Sequence, residues 1–261
     1  METIYDKIGE GYDSTRKADS EILSSLSKLL NIEAGKSYLD IACGTGNYTT
    51  GISNFGGNWH ACDGSEKMLS QASSKSSAIS WKKYEVSDLG YKSDFFDGAI
   101  CSLAIHHFPD LLRPFREIAR VLKTECRFVI FTSTPEQMKE YWLNHYFPEM
   151  MEKSCEQMPS IEAVESALTG AGFAIETTEP FFITRELKDF FLYCGKQKPE
   201  MYLSSKVRNG ISSFHNFCSQ SELERGLENL RKDISSGEID GVMRSYEISK
   251  GDYLFICATT G

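Results

Sequence analysis

Apolar residues recur with two different periods along the chain, and the switches between them mark out its elements. Ile22, Leu23, Leu26, Leu29 and Leu30 fall at helical spacing within 20–32, with Ser20 at the N-cap position. Residues 36–43 form a short apolar run that ends in Gly44-Thr45-Gly46, the pattern of a strand, a glycine loop and then a helix. A second strand is predicted over 57–63 and ends at Asp63. A helix over 65–74 turns Met68 and Leu69 inward, and the serine-rich stretch 70–80 reads as a helix end and loop. Strands are predicted over 79–86, 97–104 and 127–132. The 97–104 run is nearly all apolar, as a strand covered on both faces should be. Between the last two strands, residues 109–123 carry Leu111, Leu112, Phe115, Ile118, Ala119 and Leu122 on one helical face. This alternation predicts an α/β fold with a parallel sheet and helices on both faces.

After Pro135 the rhythm changes. Residues 137–158 are aromatic and Met-rich at helical spacing, 159–170 form a helix, and 173–183 form a strand. Residues 184–237 are helical and irregular, and 252–259 form a final strand. No repeat and no linker-like stretch interrupts the 261 residues, so one α/β core with helical insertions is expected rather than two independent domains.

Charge narrows the partners. The chain holds 28 Lys and Arg against 37 Asp and Glu, a formal net charge of −9. That balance argues against nucleic acid and against an anionic membrane surface, both of which need clustered cations. Residues 1–135 carry 15 basic and 17 acidic side chains, and residues 136–261 carry 13 and 20, so the excess lies in the second half. The longest apolar stretches fall far short of a membrane span. The start, Met1 to Asp6, is acidic without an apolar run, and the eight cysteines lie at least 19 residues apart. The expectation is a cytoplasmic protein with reduced thiols and no metal site.

The chemistry begins at Asp40-Ile41-Ala42-Cys43-Gly44-Thr45-Gly46, with Asp63 downstream. A glycine loop between strand and helix lets a ligand approach the backbone closely. An acid at the end of the next strand can accept hydrogen bonds from both ribose hydroxyls. An adenosine-containing ligand is therefore expected at the C-terminal edge of the sheet. A dinucleotide fingerprint wants a third glycine where this chain has Thr49. Asp40 beside the loop suits a cationic amino group better than a pyrophosphate. Both departures favour S-adenosylmethionine over NAD.

These segments resemble the class I S-adenosylmethionine-dependent methyltransferases, closest to the ubiquinone/menaquinone-biosynthesis-like (type 11) small-molecule branch. The resemblance runs through Leu39 to Gly46, Cys62 to Leu69, Ser102 to Asp110 and Glu117 to Lys123, and resumes at Ala171-Gly172-Phe173 and the final strand. It implies a Rossmann-like doubly wound sheet, mostly parallel with an antiparallel final strand, plus helical lid insertions. It also implies a division of the chain into cofactor-covering N-terminal helices over 1–30, a cofactor-binding core over 31–134, lid insertions over 135–160 and 184–250, and closing strands over 171–183 and 251–260. Gly44, Gly46 and the Ala42 backbone would cradle the methionine part, and Asp40 would hold its amino group. Asp63 would take the ribose hydroxyls with Gly64 alongside. Met68, Glu85 and the Val86 backbone would meet the adenine, and Ser102 would lie beneath the methyl-bearing sulfur. Tyr5-Asp6 and Tyr12-Asp13-x-x-Arg16 resemble a segment that folds over the cofactor. There Arg16 would reach the carboxylate, as a guanidinium does with two hydrogen bonds, and Tyr12 would offer an aromatic face to the sulfonium.

His106 resembles the position that faces the acceptor, either as a base for a protonated acceptor or as a pocket-lining side chain. Tyr141, Trp142, Tyr146, Phe147, Met150 and Met151 form one aromatic and Met cluster, followed by Phe181, Phe190, Phe191 and Tyr193. Most of these are expected to pack the helical core, and those that line the pocket imply an apolar or aromatic acceptor. The function expected is methyl transfer to a small molecule in quinone, antibiotic or other secondary metabolism, with S-adenosylhomocysteine as product. The alternatives are a non-catalytic protein that binds S-adenosylmethionine or S-adenosylhomocysteine, an arsenite methyltransferase and an NAD-dependent dehydrogenase.

Overall fold

A computed structural model describes residues 12–246 and 250–261, with the Tyr12 side chain excepted. Tyr5, Asp6 and the Tyr12 aromatic ring of the N-terminal segment therefore lie outside the described residues. Strands β1 (Ser37–Ile41), β2 (Asn58–Asp63), β3 (Ser80–Lys83), β4 (Phe96–Ser102), β5 (Leu122–Thr132), β6 (Phe173–Phe181) and β7 (Tyr253–Thr260) form one sheet. Their order is β3-β2-β1-β4-β5-β7-β6. Strands β1 to β5 pair in parallel, and β7 runs antiparallel to both of its neighbours. The strand order reverses direction at β1 and β4, so a crevice opens there at the C-terminal strand ends.

Helices α1 (Ser20–Leu30), α2 (Asn47–Ile52), α3 (Glu66–Lys75) and α4 (Leu112–Val121) flank this core. Asp19 caps α1 by accepting from the Glu21 and Ile22 N–H groups, so the cap is Asp19 and not Ser20. Ser65 caps α3 through the Met68 N–H. Two apolar cores follow from the two sheet faces. Ile22, Leu26 and Tyr38 belong to one, and Leu39, Ile41, Phe115 and Phe128 to the other. Neighbours Tyr38 and Leu39 go to opposite cores because side chains alternate across a strand.

The stretch 137–158 is broken into three helices, α5 (Pro135–Lys139), α6 (Leu143–Tyr146) and α7 (Pro148–Gln157). Pro148 opens α7 and sets the break. Helix α8 (Ile161–Gly170) leads into β6, and α9 (Ser205–Asn209), α10 (Ser212–Asn216), α11 (Gln220–Ser236) and α12 (Ile239–Ser245) precede β7. Residues 184–198 hold no regular helix. The two insertions are joined by a buried acid. Glu222 of α11 accepts from the Glu149 and Met150 N–H groups at 2.7 and 3.1 Å, which serves the open N-terminus of α7. The second insertion is tied to the sheet by Lys196, whose Nζ lies 2.6 and 2.8 Å from the buried Asp252 carboxylate.

All eight cysteines are unpaired. Among the described residues no helix is long and apolar enough to cross a membrane, and no cluster of His, Cys, Asp and Glu is arranged to hold a metal ion.

Candidate active site

Two cavities meet above the C-terminal ends of β1 and β4. The first, about 350 Å³, is lined by Ala42, Cys43, Gly44, Asp63, Gly64, Met68, Glu85, Val86 and Ser102, among others. Its floor is the loop after β1. Gly44 has φ +56° and Gly46 φ +72°, conformations that cost glycine nothing. Ala42 adopts φ +54° without being glycine, and so does Leu103 after β4. Two left-handed non-glycine residues at adjacent strand ends store strain where the chain turns around the cavity.

Asp63 organises this loop. Its Oδ2 accepts from the Gly44 N–H and its Oδ1 from the Ser65 N–H, both at 2.8 Å. Glu85 approaches from the end of β3, beside Gly64. Ser102 Oγ, at the end of β4, is buried and finds no hydrogen-bond partner among the described residues.

Two expected residues sit behind the loop instead of on the cavity wall. Asp40 is 2% exposed and accepts from Thr49 Oγ1 at 2.6 Å. Burial pushes its carboxyl up to about 7, with the Asp63 charge adding to the rise against the Thr49 hydrogen bond. Thr49, which replaces a dinucleotide fingerprint's third glycine, thus has a partner of its own. Gly46 faces Trp81 and Ala72, where a Cβ would come within 2.4 Å of the indole ring. Its glycine serves packing beneath the loop.

The N-terminal segment lies over the loop. Asp13 accepts from Thr45 Oγ1 at 2.7 Å and Asn47 Nδ2 at 2.9 Å, and pairs with Lys75 at 2.6 Å. Arg16 lines the first cavity, and its Nε and Nη2 meet the Asp189 carboxylate at 2.5 and 3.2 Å. Asp189 is 1% exposed and also accepts from Tyr48 OH at 3.1 Å. Nearby, the Phe190 N–H donates to Thr15 O and the Lys188 N–H to Asp19 Oδ2. The segment 187–190 and the N-terminal segment are therefore bolted together. No motif surrounds Asp189, and sequence analysis missed it.

The second cavity, about 100 Å³, shares Arg16 and Leu103 with the first. His106, Ser133, Met138, Ser154, Gln157, Met158, Phe191, Leu192, Ile211 and Tyr253 are among its other walls. His106 therefore belongs to this second chamber, and His107 to the first. Burial pushes the His106 ring down to about 3, with His107 and Arg16 adding to the fall. Tyr141, Trp142, Tyr146, Phe147, Met150 and Met151 are all at most 3% exposed and pack into the same apolar core as Ile22 and Tyr38. Of the aromatic residues singled out from sequence, only Phe191 reaches the second cavity.

A methyltransferase domain model matches residues 39–130, the span that holds the β1 loop, Asp63 and Ser102. The demethylmenaquinone methyltransferase of Oceanobacillus iheyensis is 25% identical over 197 residues, covering 72% of this chain and 79% of that protein. The methyltransferase YcgJ of Bacillus subtilis is 29% identical over 154 residues, 57% of this chain, and the chain spans about half (56%) of its length. A crystal structure described as that of a methyltransferase from an antibiotic biosynthesis pathway of Anabaena variabilis superposes with a TM-score of 0.83. It is 31% identical, with 94% of this chain and 99% of that one covered. With this match along nearly its whole length, and with the glycine loop and strand-end acid in place, the chain belongs to the class I S-adenosylmethionine-dependent methyltransferases and acts on a small molecule.

Proposed function

We propose that this chain binds S-adenosylmethionine in the first cavity and methylates an apolar or aromatic acceptor held in the second. The observation that carries the reading is the junction. The two cavities share Arg16 and Leu103, so a ligand in one faces a ligand in the other. The first cavity suits the cofactor, with a glycine floor open above Gly44, a strand-end carboxylate at Asp63 and a buried, unpartnered Ser102 hydroxyl. When bound, S-adenosylmethionine supplies an electrophilic methyl group on a sulfonium and leaves as S-adenosylhomocysteine.

The chain's own residues align and enclose. The Ala42 and Gly44 backbone would hold the methionine part, with Asp40 and Gly46 shaping the loop from behind. Asp63 and Gly64 would hold the ribose, and Met68, Glu85 and Val86 the adenine. Ser102 would contact the sulfur end. Arg16, held by Asp189, would reach the carboxylate beneath the N-terminal cover that includes Tyr12. Leu103 would press the acceptor toward the junction, and the lid insertions would exclude water. His106 is neutral at working pH and far below the near-neutral value that suits a general base. Its part is that of a side chain lining the acceptor cavity.

The regions 1–30, 31–134, and 135–160 with 184–250 divide these tasks as cover, cofactor core and lid. A setting in quinone, antibiotic or other secondary metabolism is supported by the Oceanobacillus and Anabaena relatives. A cytoplasmic location is supported by the eight unpaired cysteines. The net charge of −9 supports an acceptor other than nucleic acid. The test is a thermal-shift panel with S-adenosylmethionine, S-adenosylhomocysteine and NAD. Stabilisation by the first two and none by NAD is expected, because a ligand raises the melting temperature by mass action. The reverse pattern overturns the reading.

A further inference from the structure

We infer that Lys75 is a positioning residue for the cofactor: through Asn47 it holds the N-terminal segment on the glycine loop and so fixes where Arg16 stands. This rests on reading the first cavity as the cofactor site, with Arg16 at the carboxylate. Lys75 lies in the serine-rich stretch whose sequence reads as a helix end, and it closes α3. It lines neither cavity, so any effect on the cofactor passes through the residues it touches.

A lysine ammonium carries three N–H donors. Lys75 directs its own to three separate segments. Nζ lies 2.7 Å from Thr45 O in the loop, 2.6 Å from Asn47 Oδ1 at the start of α2, and 2.6 Å from Asp13 Oδ2 in the N-terminal segment. With its Oδ1 turned to Lys75, the Asn47 amide aims its two N–H donors at that same segment. They reach Asp13 Oδ1 at 2.9 Å and Arg16 O at 2.8 Å. A flipped amide would set N–H groups against the ammonium, so the cation decides which way Asn47 faces. Burial alone would raise the Asp13 carboxyl, and the bonds from Lys75, Thr45 and Asn47 bring it below its usual value.

Arg16 is thus held from two sides. Asp189 grips its guanidinium from the second insertion, and Asn47 grips its backbone from the loop. The Asn47 hold references Arg16 to the floor on which the methionine part would lie. A partly exposed ion pair such as Lys75 with Asp13 is worth little by itself. Its effect reaches Arg16 because the same ammonium orients Asn47. Without Lys75 the amide is released, and Arg16 loses its register with the loop. The proposed adenosine contacts at Asp63 and Glu85 are left in place.

The experiment is calorimetric titration of the full chain with two probes. One is S-adenosylhomocysteine, and the other is its decarboxylated analogue, which keeps the amino group and lacks the carboxylate. The unmodified chain should prefer S-adenosylhomocysteine by about tenfold or more, the scale of one charge-assisted hydrogen bond. Lys75→Met, and Asn47→Asp, which removes both amide donors, should each cut that preference by about fivefold or more while binding of the analogue stays the same. In Arg16→Ala the preference should be gone, and adding Lys75→Met should not change S-adenosylhomocysteine affinity further, because an effect that passes through Arg16 needs Arg16. A smaller cut, equal weakening of both probes as a merely structural role would give, or a further loss in the Arg16→Ala background overturns the inference. If the unmodified chain does not bind or prefer S-adenosylhomocysteine, or if Arg16→Ala keeps the preference, the underlying reading of the site is overturned and the inference falls with it. Asn47→Asp carries both comparisons if Lys75→Met does not fold.

Discussion

The two cavities differ in how they are built. The first draws its floor from one local stretch, Ala42 to Asn47, and closes it with the ends of the next strands. The second is assembled from single residues and short pieces scattered between 16 and 253. The first is a backbone feature, in which loop conformation sets the shape. The second is a side-chain feature, in which packing of the insertions sets the shape. Arg16 and Leu103 are where the two kinds of construction touch. The first cavity therefore tolerates little change in backbone, and the second can be re-cut by changing side chains.

The largest effect expected from breaking this contrast is at Gly46. An added Cβ would meet Trp81 at 2.4 and 2.7 Å with φ at +72°. Gly46→Ala should therefore cost about 3 kcal/mol or more in urea denaturation, from overpacking and left-handed strain together. Gly44→Ala, with open space around its Cβ, should cost only the strain, about 1–2 kcal/mol. Equal losses at the two glycines would show that the loop is not packed on one side only.

Asp189→Asn comes next. It leaves the Arg16 guanidinium without the carboxylate that neutralises it, and should destabilise the fold by about 3 kcal/mol. It should also weaken S-adenosylhomocysteine binding, and a variant with unchanged affinity would detach the bolt from the cofactor site. Asp63→Ala removes the acceptor for the Gly44 and Ser65 N–H groups as well as the proposed ribose contacts. A loss of about 2–3 kcal/mol in calorimetric affinity is expected.

A further effect depends on pH. The Asp40 carboxyl rises from 3.8 to about 7 in the folded chain. Between those values the folded state keeps a proton that the unfolded state releases, so this group's contribution to stability falls as pH rises toward 7. Asp40→Asn should thus gain more, relative to the unmodified chain, at pH 8 than at pH 5. His106 works in the opposite direction, since its lowered value makes stability fall as pH drops from 6.5 toward 3. A melting-temperature difference between variant and parent that ignores pH would contradict the buried, ionisable Asp40. The smallest change is Ala42→Gly, which relieves a left-handed alanine and should stabilise by under about 1 kcal/mol.

Much of the cofactor half could be read before the fold was known. The strand and helix periods over 20–132 reproduce the observed elements to within a few residues, and Ala42, Gly44, Asp63, Gly64, Met68, Glu85, Val86 and Ser102 do share one cavity. Local rules suffice there because each residue acts close to where its strand ends. The same reading placed Asp40 and Gly46 beside the ligand, and the structure puts both behind the loop, because a motif records position along the chain and not the direction a side chain takes. Between 137 and 158, helical spacing marked Tyr141 to Met151 but could not tell inward from cavity-facing. Those residues turned inward, and Met138, Met158 and Ile211 took the wall.

The chain's own order of residues dictates an α/β sheet, a glycine loop and a strand-end acid, since period, turn chemistry and short spacing are local properties. Tertiary packing alone decides that Asp189 holds Arg16 from 173 positions away, and that His106 opens into a second chamber and not the first. Those contacts exist only after distant segments have docked, when burial has stripped water from them and made each partner's position matter.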